Sequence, residues 1–198
     1  MKQFKVTSGD LFISDPCYTT DNWRCNLVRN VANGLWMSDA KIDENSGRVA
    51  SIHIYNNAAF IRNTNLIDEV YNAPEMPFLV CVDSGQAGFF DANHYREDLH
   101  LTGVIPICEH DEIKKEGDIF FSACAYITLD EAKTGERFGS LPFGFVARSG
   151  YGDGSYKCLG IKETGTNQYI AFTILFIENS FNEDNDFETD EDEEDTED

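Results

Sequence analysis

Four aspartates, Asp15, Asp83, Asp91 and Asp153, stand in or beside turns, three of them bracketing or within glycine-bearing stretches, a setting in which carboxylates can hold a divalent cation or serve as acid and base. The stretch VDSGQAGFFD, residues 82–91, brackets Gly85, Gln86 and Gly88 between two of them. Carboxylate donors suit Mg²⁺, Ca²⁺ or Mn²⁺. A hydrolase or small-ligand binder built on them needs all four in one pocket with altered pKa values. The competing reading is architectural: an aspartate in a turn accepts hydrogen bonds from the turn's own N–H groups. On that reading Asp15, within SDPCY, caps its turn with Tyr18 packed beneath.

SGYGDGSYKC, residues 149–158, poses the same choice. It is not a dinucleotide fingerprint, a P-loop or an EF-hand loop, because the required glycine spacing, lysine or alternating carboxylates are missing. An Asp-Gly pair between strand-like residues predicts a tight hairpin. Placing Asp153 and Gly154 at its tip sets Gly152 opposite Ser155 and Tyr151 opposite Tyr156, a favourable cross-strand pair. Gly150 and Gly152 then mark a bulge or a close approach by another backbone or a ligand.

The remaining residue types offer no ready-made chemistry. His53, His94, His100 and His110 form no H-E-x-x-H pair, and there is no G-x-S-x-G elbow. The six cysteines, at 17, 25, 81, 108, 124 and 158, include no C-x-x-C. Most sit among apolar neighbours, as in FLVCVD and FFSACAYI, where a thiol behaves as a small buried hydrophobe.

Charge is the strongest compositional signal. The chain carries 36 acidic and 15 basic residues, a formal net charge of −21. Residues 182–198, NEDNDFETDEDEEDTED, hold 12 of the acids and no base, leaving 24 acids and 15 bases, a net −9, on the 181 residues before them. With Phe187 as its one large apolar side chain, this segment cannot offset the entropy of ordering, so a disordered acidic tail over 179–198 is expected after a globular domain over 1–178. The tail reads either as a solubilising brush or as an imitation of a nucleic-acid backbone that occupies a basic groove on a partner. Direct nucleic-acid binding is disfavoured, since no basic patch exists to meet phosphates. The absence of a leader or membrane-spanning stretch predicts no membrane association and a cytoplasmic protein.

Around these candidate residues the pattern is sheet-rich. FKVTSGDLFISD reads as strand broken by Gly9 and Asp10 into the arms of a hairpin or bulge. GLWMSDAKID and GRVASIHIYNN, joined by ENSG, read as paired neighbours. TNLIDEVYNAP reads as a short helix capped by Thr64 or Asn65 and closed by Pro74. PFLVCVDSGQAGFFD reads as strand, turn, strand, whereas DANHYREDL and EHDEIKKEG read as brief helices or loops. DIFFSACAYITLD, rich in aromatic and β-branched residues, predicts a strand. The run YIAFTILFI is apolar at nearly every position and predicts a central strand covered on both faces. The fold class is therefore mainly β: a single antiparallel domain, sandwich-like or strongly curved, with one or two short helices.

GDLFISDPCY, DSGQAGFFD and SGYGDGSYKC, in that order, resemble the signature segments of an uncharacterised family found in bacteria and phages, over residues 8 to about 177. The resemblance implies that Asp15, Tyr18, Asp83, Gly85, Gln86, Asp91, Asp153, Gly154, Ser155 and Tyr156 converge in space. It also implies a setting of host–virus or toxin–immunity conflict, in which small acidic proteins act by binding. The function expected is that of a non-enzymatic acidic protein, an inhibitor or immunity-type factor without cofactor, that occludes a basic partner surface in the bacterial or host cytoplasm. The alternative is a hydrolase or ligand binder using Mg²⁺ or Ca²⁺ on the aspartates. Oligomeric state is not legible.

Overall fold

A computed structural model describes residues 1–101, 117–129 and 137–178. The expected tail, residues 109–116 of EHDEIKKEG, and Cys108 and His110 lie outside the described residues. The described chain forms two antiparallel sheets, as the pattern predicts. The strands of the first are β1 (Lys2–Val6), β4 (Gly34–Ile42), β5 (Val49–Asn56), β6 (Glu75–Val82), β10 (Gly154–Lys162) and β11 (Tyr169–Leu175). The second is built from β2 (Asp10–Ser14), β3 (Asn26–Arg29), β7 (Gln86–Asp91), β8 (Phe138–Leu141) and β9 (Gly144–Arg148). Their orders are β1-β4-β5-β11-β10-β6 and β3-β2-β7-β9-β8.

The sheets are held face to face by one core. Phe4, Trp36, Ile52, Ile54, Phe172 and Ile174 of the six-stranded sheet meet Leu11, Ile13, Ala87, Phe89 and Phe145 of the other. Full burial of side chains of this size is worth about 1.5–3 kcal/mol each, so this layer dominates the favourable side of the balance. The expected β4–β5 hairpin is present, in register from Trp36↔Asn56 to Ile42↔Val49. The YIAFTILFI run supplies β11, interior to its sheet between β5 and β10.

Both outer faces carry helices, which is why β5 and β7 are buried at every position. On the six-stranded sheet, α1 (Asn57–Arg62) and α2 (Leu66–Val70) bring Ala59, Leu66 and Val70 against Tyr55, Ile170 and Ala171. The short helix expected in TNLIDEVYNAP is α2, although Asn65 at its N-cap makes no side-chain capping bond. The first helix, α1, went unpredicted; it starts where the Asn56 side chain accepts from Ala59 N–H and ends the β5 strand.

DIFFSACAYITLD is not a strand but α3 (Asp118–Leu129), packed on the outer face of the five-stranded sheet. The inward residues Phe120, Ala123, Cys124, Ile127 and Thr128 recur at helical spacing. A helix approaches the sheet here because Gly139 of β8 has no side chain: a Cβ there would lie 2.7 Å from Ile127 Cγ2. The first turn is capped from a distance, with Asp98 accepting from the N–H groups of Gly117 and Phe120 at 2.9 Å each. Tertiary packing and a remote cap thus override the β-propensity of Phe, Tyr and Ile.

The two expected hairpins at glycine turns are also replaced. β1 and β2 belong to different sheets, and so do β9 and β10. Tyr156 pairs with Val80 and Ser155 with Cys81, both of β6, so Tyr151 and Gly152 have no place opposite them. A tight turn at Asp153-Gly154 needs positive φ at Asp153, but positive φ falls on the glycines, Gly150 at +48°, Gly152 at +110° and Gly154 at +158°, and not on Asp153. The glycines carry the chain from one sheet to the other.

His53 on β5 is buried, its Nδ1 3.0 Å from the Tyr71 hydroxyl. Burial holds its pKa below the ordinary 6.5 despite the nearby Asp39 carboxylate. The unfolded chain therefore takes up a proton below 6.5 that the folded chain refuses, and stability falls as pH drops below that value. Urea midpoints measured from about pH 7.5 to about pH 5 are expected to decline less steeply in His53→Gln than in the parent; identical slopes would refute the assignment.

Candidate functional site

The described chain passes between the sheets at residues 7–9, 30–33, 83–85 and 149–153. Each crossing leaves backbone N–H groups outside any sheet ladder, and buried donors of that kind need acceptors. Two buried aspartates supply them. Asp15, just after β2, accepts at Oδ2 from the N–H groups of Asp83 at 2.9 Å and Ser84 at 2.7 Å. Its Oδ1 accepts from Cys17 N–H at 2.8 Å and Ser84 Oγ at 2.6 Å. Asp91, at the end of β7, treats the β1–β2 crossing in the same way. Its Oδ2 accepts from Thr7 N–H at 2.6 Å, Ser8 N–H at 2.9 Å and Ser8 Oγ at 3.0 Å.

Since β2 and β7 are antiparallel neighbours, the arrangement is reciprocal: the aspartate leaving β2 secures the entry to β7, and the one leaving β7 secures the entry to β2. Asp15 thus does more than cap its own turn. Its lone pairs are occupied by donors of the protein, as are those of Asp91, and because Asp91 stands opposite Leu11 the two aspartates are four residues apart along the strands, about 13 Å at the strand rise.

The third glycine segment joins the Asp15 end. Gly85 N–H donates to Asp153 Oδ1 at 3.1 Å, and Ser149 N–H donates to the Gly85 carbonyl at 3.0 Å. The Tyr156 hydroxyl lies 2.6 Å from the Gly152 carbonyl and 3.3 Å from that of Ser149. Gln86, fully buried, donates to Ser84 Oγ at 3.3 Å and accepts from the Thr128 hydroxyl of α3 at 2.8 Å. Gly154 and Ser155 open β10 beside Val82 and Cys81. Nine of the ten candidate residues therefore gather at one end of the sandwich, and Asp91 stands at the other.

Two potential nucleophiles at the converged end, Cys17 and Tyr18, are held in their protonated forms. Burial first, and then the Asp15 carboxylate, push the Cys17 thiol up to about 12. Burial likewise pushes the Tyr18 phenol up to about 12, against the opposing pull of Arg24. Beneath the 15–18 turn, the Tyr95 hydroxyl donates to the Tyr18 carbonyl at 2.7 Å.

The family model described as "Protein of unknown function (DUF4241)" matches residues 4–174. The chain belongs to the DUF4241 family. The match runs from β1 into β11, so all four crossings and both aspartate clamps are part of the DUF4241 domain, whereas residues 182–198 lie beyond it. No curated protein and no solved structure matches the chain.

Two groups on the DUF4241 domain are not among the ten candidate residues. The first is aromatic and exposed at the converged end. Trp23 is 81% exposed and Tyr151 67%. Arg24 lies 5.1 Å from the Trp23 ring and pairs with Asp83 at 2.6 Å, and Arg48 lies 4.9 Å from the Tyr151 ring. Nothing in the sequence marks these aromatics as outward, since Trp and Tyr are ordinary core residues. The second is His94, Glu97 and His100, whose ligand atoms lie within 4.8 Å of one another. Its only signal is the H-x-x-E-x-x-H spacing, which matches no helical zinc motif because the segment is a series of turns.

If the clamps hold the crossings, Asp15→Asn and Asp91→Asn, which put an amide against N–H donors, each lower unfolding stability by on the order of 3 kcal/mol. Asp153→Asn, at an exposed position with one such bond, changes it by less than about 1 kcal/mol. Equal effects at all three positions in urea titrations would refute the distinction.

Proposed function

We propose that this DUF4241 protein is a non-enzymatic binding protein that occludes a basic surface on a partner protein, as an inhibitor or immunity-type factor of a bacterium or phage. The observation that carries the proposal is the exposed pair Trp23 and Tyr151 on a hydrogen-bonded, preorganised end of the sandwich. Aromatic side chains of this kind anchor interfaces, and a rigid support lowers the entropy lost on docking.

The net charge of −21 adds long-range attraction toward a cationic partner, raising the on-rate and making it fall with salt. Saturated aspartates and protonated Cys17 and Tyr18 fit a surface that recognises better than one that transforms. The free thiols at Cys17, Cys25, Cys81, Cys124 and Cys158 suit a reducing cytoplasm. Among the described residues no helix is long and apolar enough to cross a membrane. A hydrolase built on Asp15, Asp83, Asp91 and Asp153 would need a common pocket that the span of β7 denies to Asp91.

The test is capture of partners by the immobilised chain at low salt, followed by binding kinetics with the captured protein. Trp23→Ala with Tyr151→Ala is expected to raise the off-rate by about tenfold or more. Removal of residues 182–198 is expected to lower the on-rate and flatten its salt dependence. Unchanged rates in both variants would sink the reading.

A further inference from the structure

We infer that His94, Glu97 and His100 form a binding site for a divalent transition-metal ion of the Zn²⁺ type. His94 Nδ1 lies 2.5 Å and His100 Nε2 3.4 Å from the same oxygen, Glu97 Oε2. An ion with donors at about 2.0–2.1 Å in tetrahedral array holds them roughly 3.3 Å apart, so the His100–Glu97 spacing is already that of a ligand pair. Closing the site takes an outward movement of Glu97 from His94 and a contraction of the three donor atoms, which already lie within 4.8 Å of one another, toward that spacing.

The three donors are presented by a shaped loop. Glu97 N–H donates to the His94 carbonyl and His94 N–H to that of Asp91. Arg96 between them adopts a left-handed φ of +61°, unusual for a residue with a side chain, which folds Glu97 back over His94. Arg96 is held there by its guanidinium, which donates to the Pro16 carbonyl at 2.7 Å, and Asp98, two residues on, is tied to the first turn of α3.

One wall of the site is apolar. The Phe143 ring stacks on His94 at 3.7 Å and lies 5.2 Å from His100, and Leu101, Phe120, Leu141 and Pro142 complete a recess beside them. The stacking fixes the imidazole planes, and the dry wall strengthens any charge interaction in front of it. The opposite side is open, with His94 and Glu97 half-buried and His100 exposed, so the fourth coordination position falls to water.

Two imidazoles and one carboxylate select Zn²⁺, Co²⁺ or Ni²⁺ over Mg²⁺ and Ca²⁺, which prefer all-oxygen shells. The site is thus chemically distinct from the aspartate-based Mg²⁺ or Ca²⁺ alternative, and its three donors are separate from Trp23 and Tyr151 of the proposed binding surface.

Titration of the chelator-treated full chain with Co²⁺ tests it, because a four-coordinate site with imidazole ligands absorbs visible light far more strongly than Co²⁺ on the carboxylates of residues 182–198. Visible bands saturating at about one equivalent and displaced by Zn²⁺ are expected. In Glu97→Gln and His100→Asn the bands are lost and affinity falls at least about a hundredfold, beyond the effect of losing an outer partner. In the unmodified chain, the ring resonances of His94 and His100 shift on Zn²⁺ addition and that of His53 does not, which keeps the test independent of how the variants fold. Absence of a saturating spectrum, bands that persist in both variants, or unshifted His94 and His100 resonances would reduce the three side chains to a hydrogen-bonded cluster.

Discussion

The sandwich depends on burying two carboxylates, Asp15 and Asp91, at the C-terminal ends of the adjacent strands β2 and β7. An ionised group taken out of water is tolerated only where several donors replace its hydration. Here the donors are the backbone N–H groups of the crossings, which would themselves be costly to bury without acceptors. Each need answers the other. The result fixes which strands leave one sheet and enter the next, something that apolar packing, being non-directional, does not specify.

Much of the framework was legible because it is local. Alternation along Val49–Asn56 marks β5 as a strand, although it suggests a half-buried one and the cover of α1 and α2 buries every position; the ENSG turn sets the β4–β5 pairing, and an apolar run too continuous for a solvated strand marks β11 as central. The failures share a cause. A glycine turn announces that the chain reverses, but whether the next strand pairs with the last or departs for the opposite sheet is settled by contacts 60 or more residues away, such as Gly85 with Asp153. In the same way, α3 is helical because Asp98 caps it and Gly139 makes room for it, and neither residue lies in its own segment.

The candidate site was legible as a set of residues more than as a chemistry. Nine of the ten residues singled out meet at one end, so their types and order carried real spatial information. Their work, however, is to accept and donate within the fold. Of the groups proposed to meet other molecules, Tyr151 lies within SGYGDGSYKC, whereas Trp23 and the His94–Glu97–His100 loop lie outside all three segments. Exposure and loop curvature have no counterpart in a one-dimensional pattern.

A last consequence concerns α3. Its first turn is moored to the histidine-bearing loop through Asp98, and near its other end Thr128 is moored through Gln86 to the crossing between β6 and β7. Twelve residues make a rod about 18 Å long, fastened fore and aft across the breadth of one sheet. Such a rod cannot tilt without slipping one of its moorings, so the two ends of the molecule share a single mechanical brace.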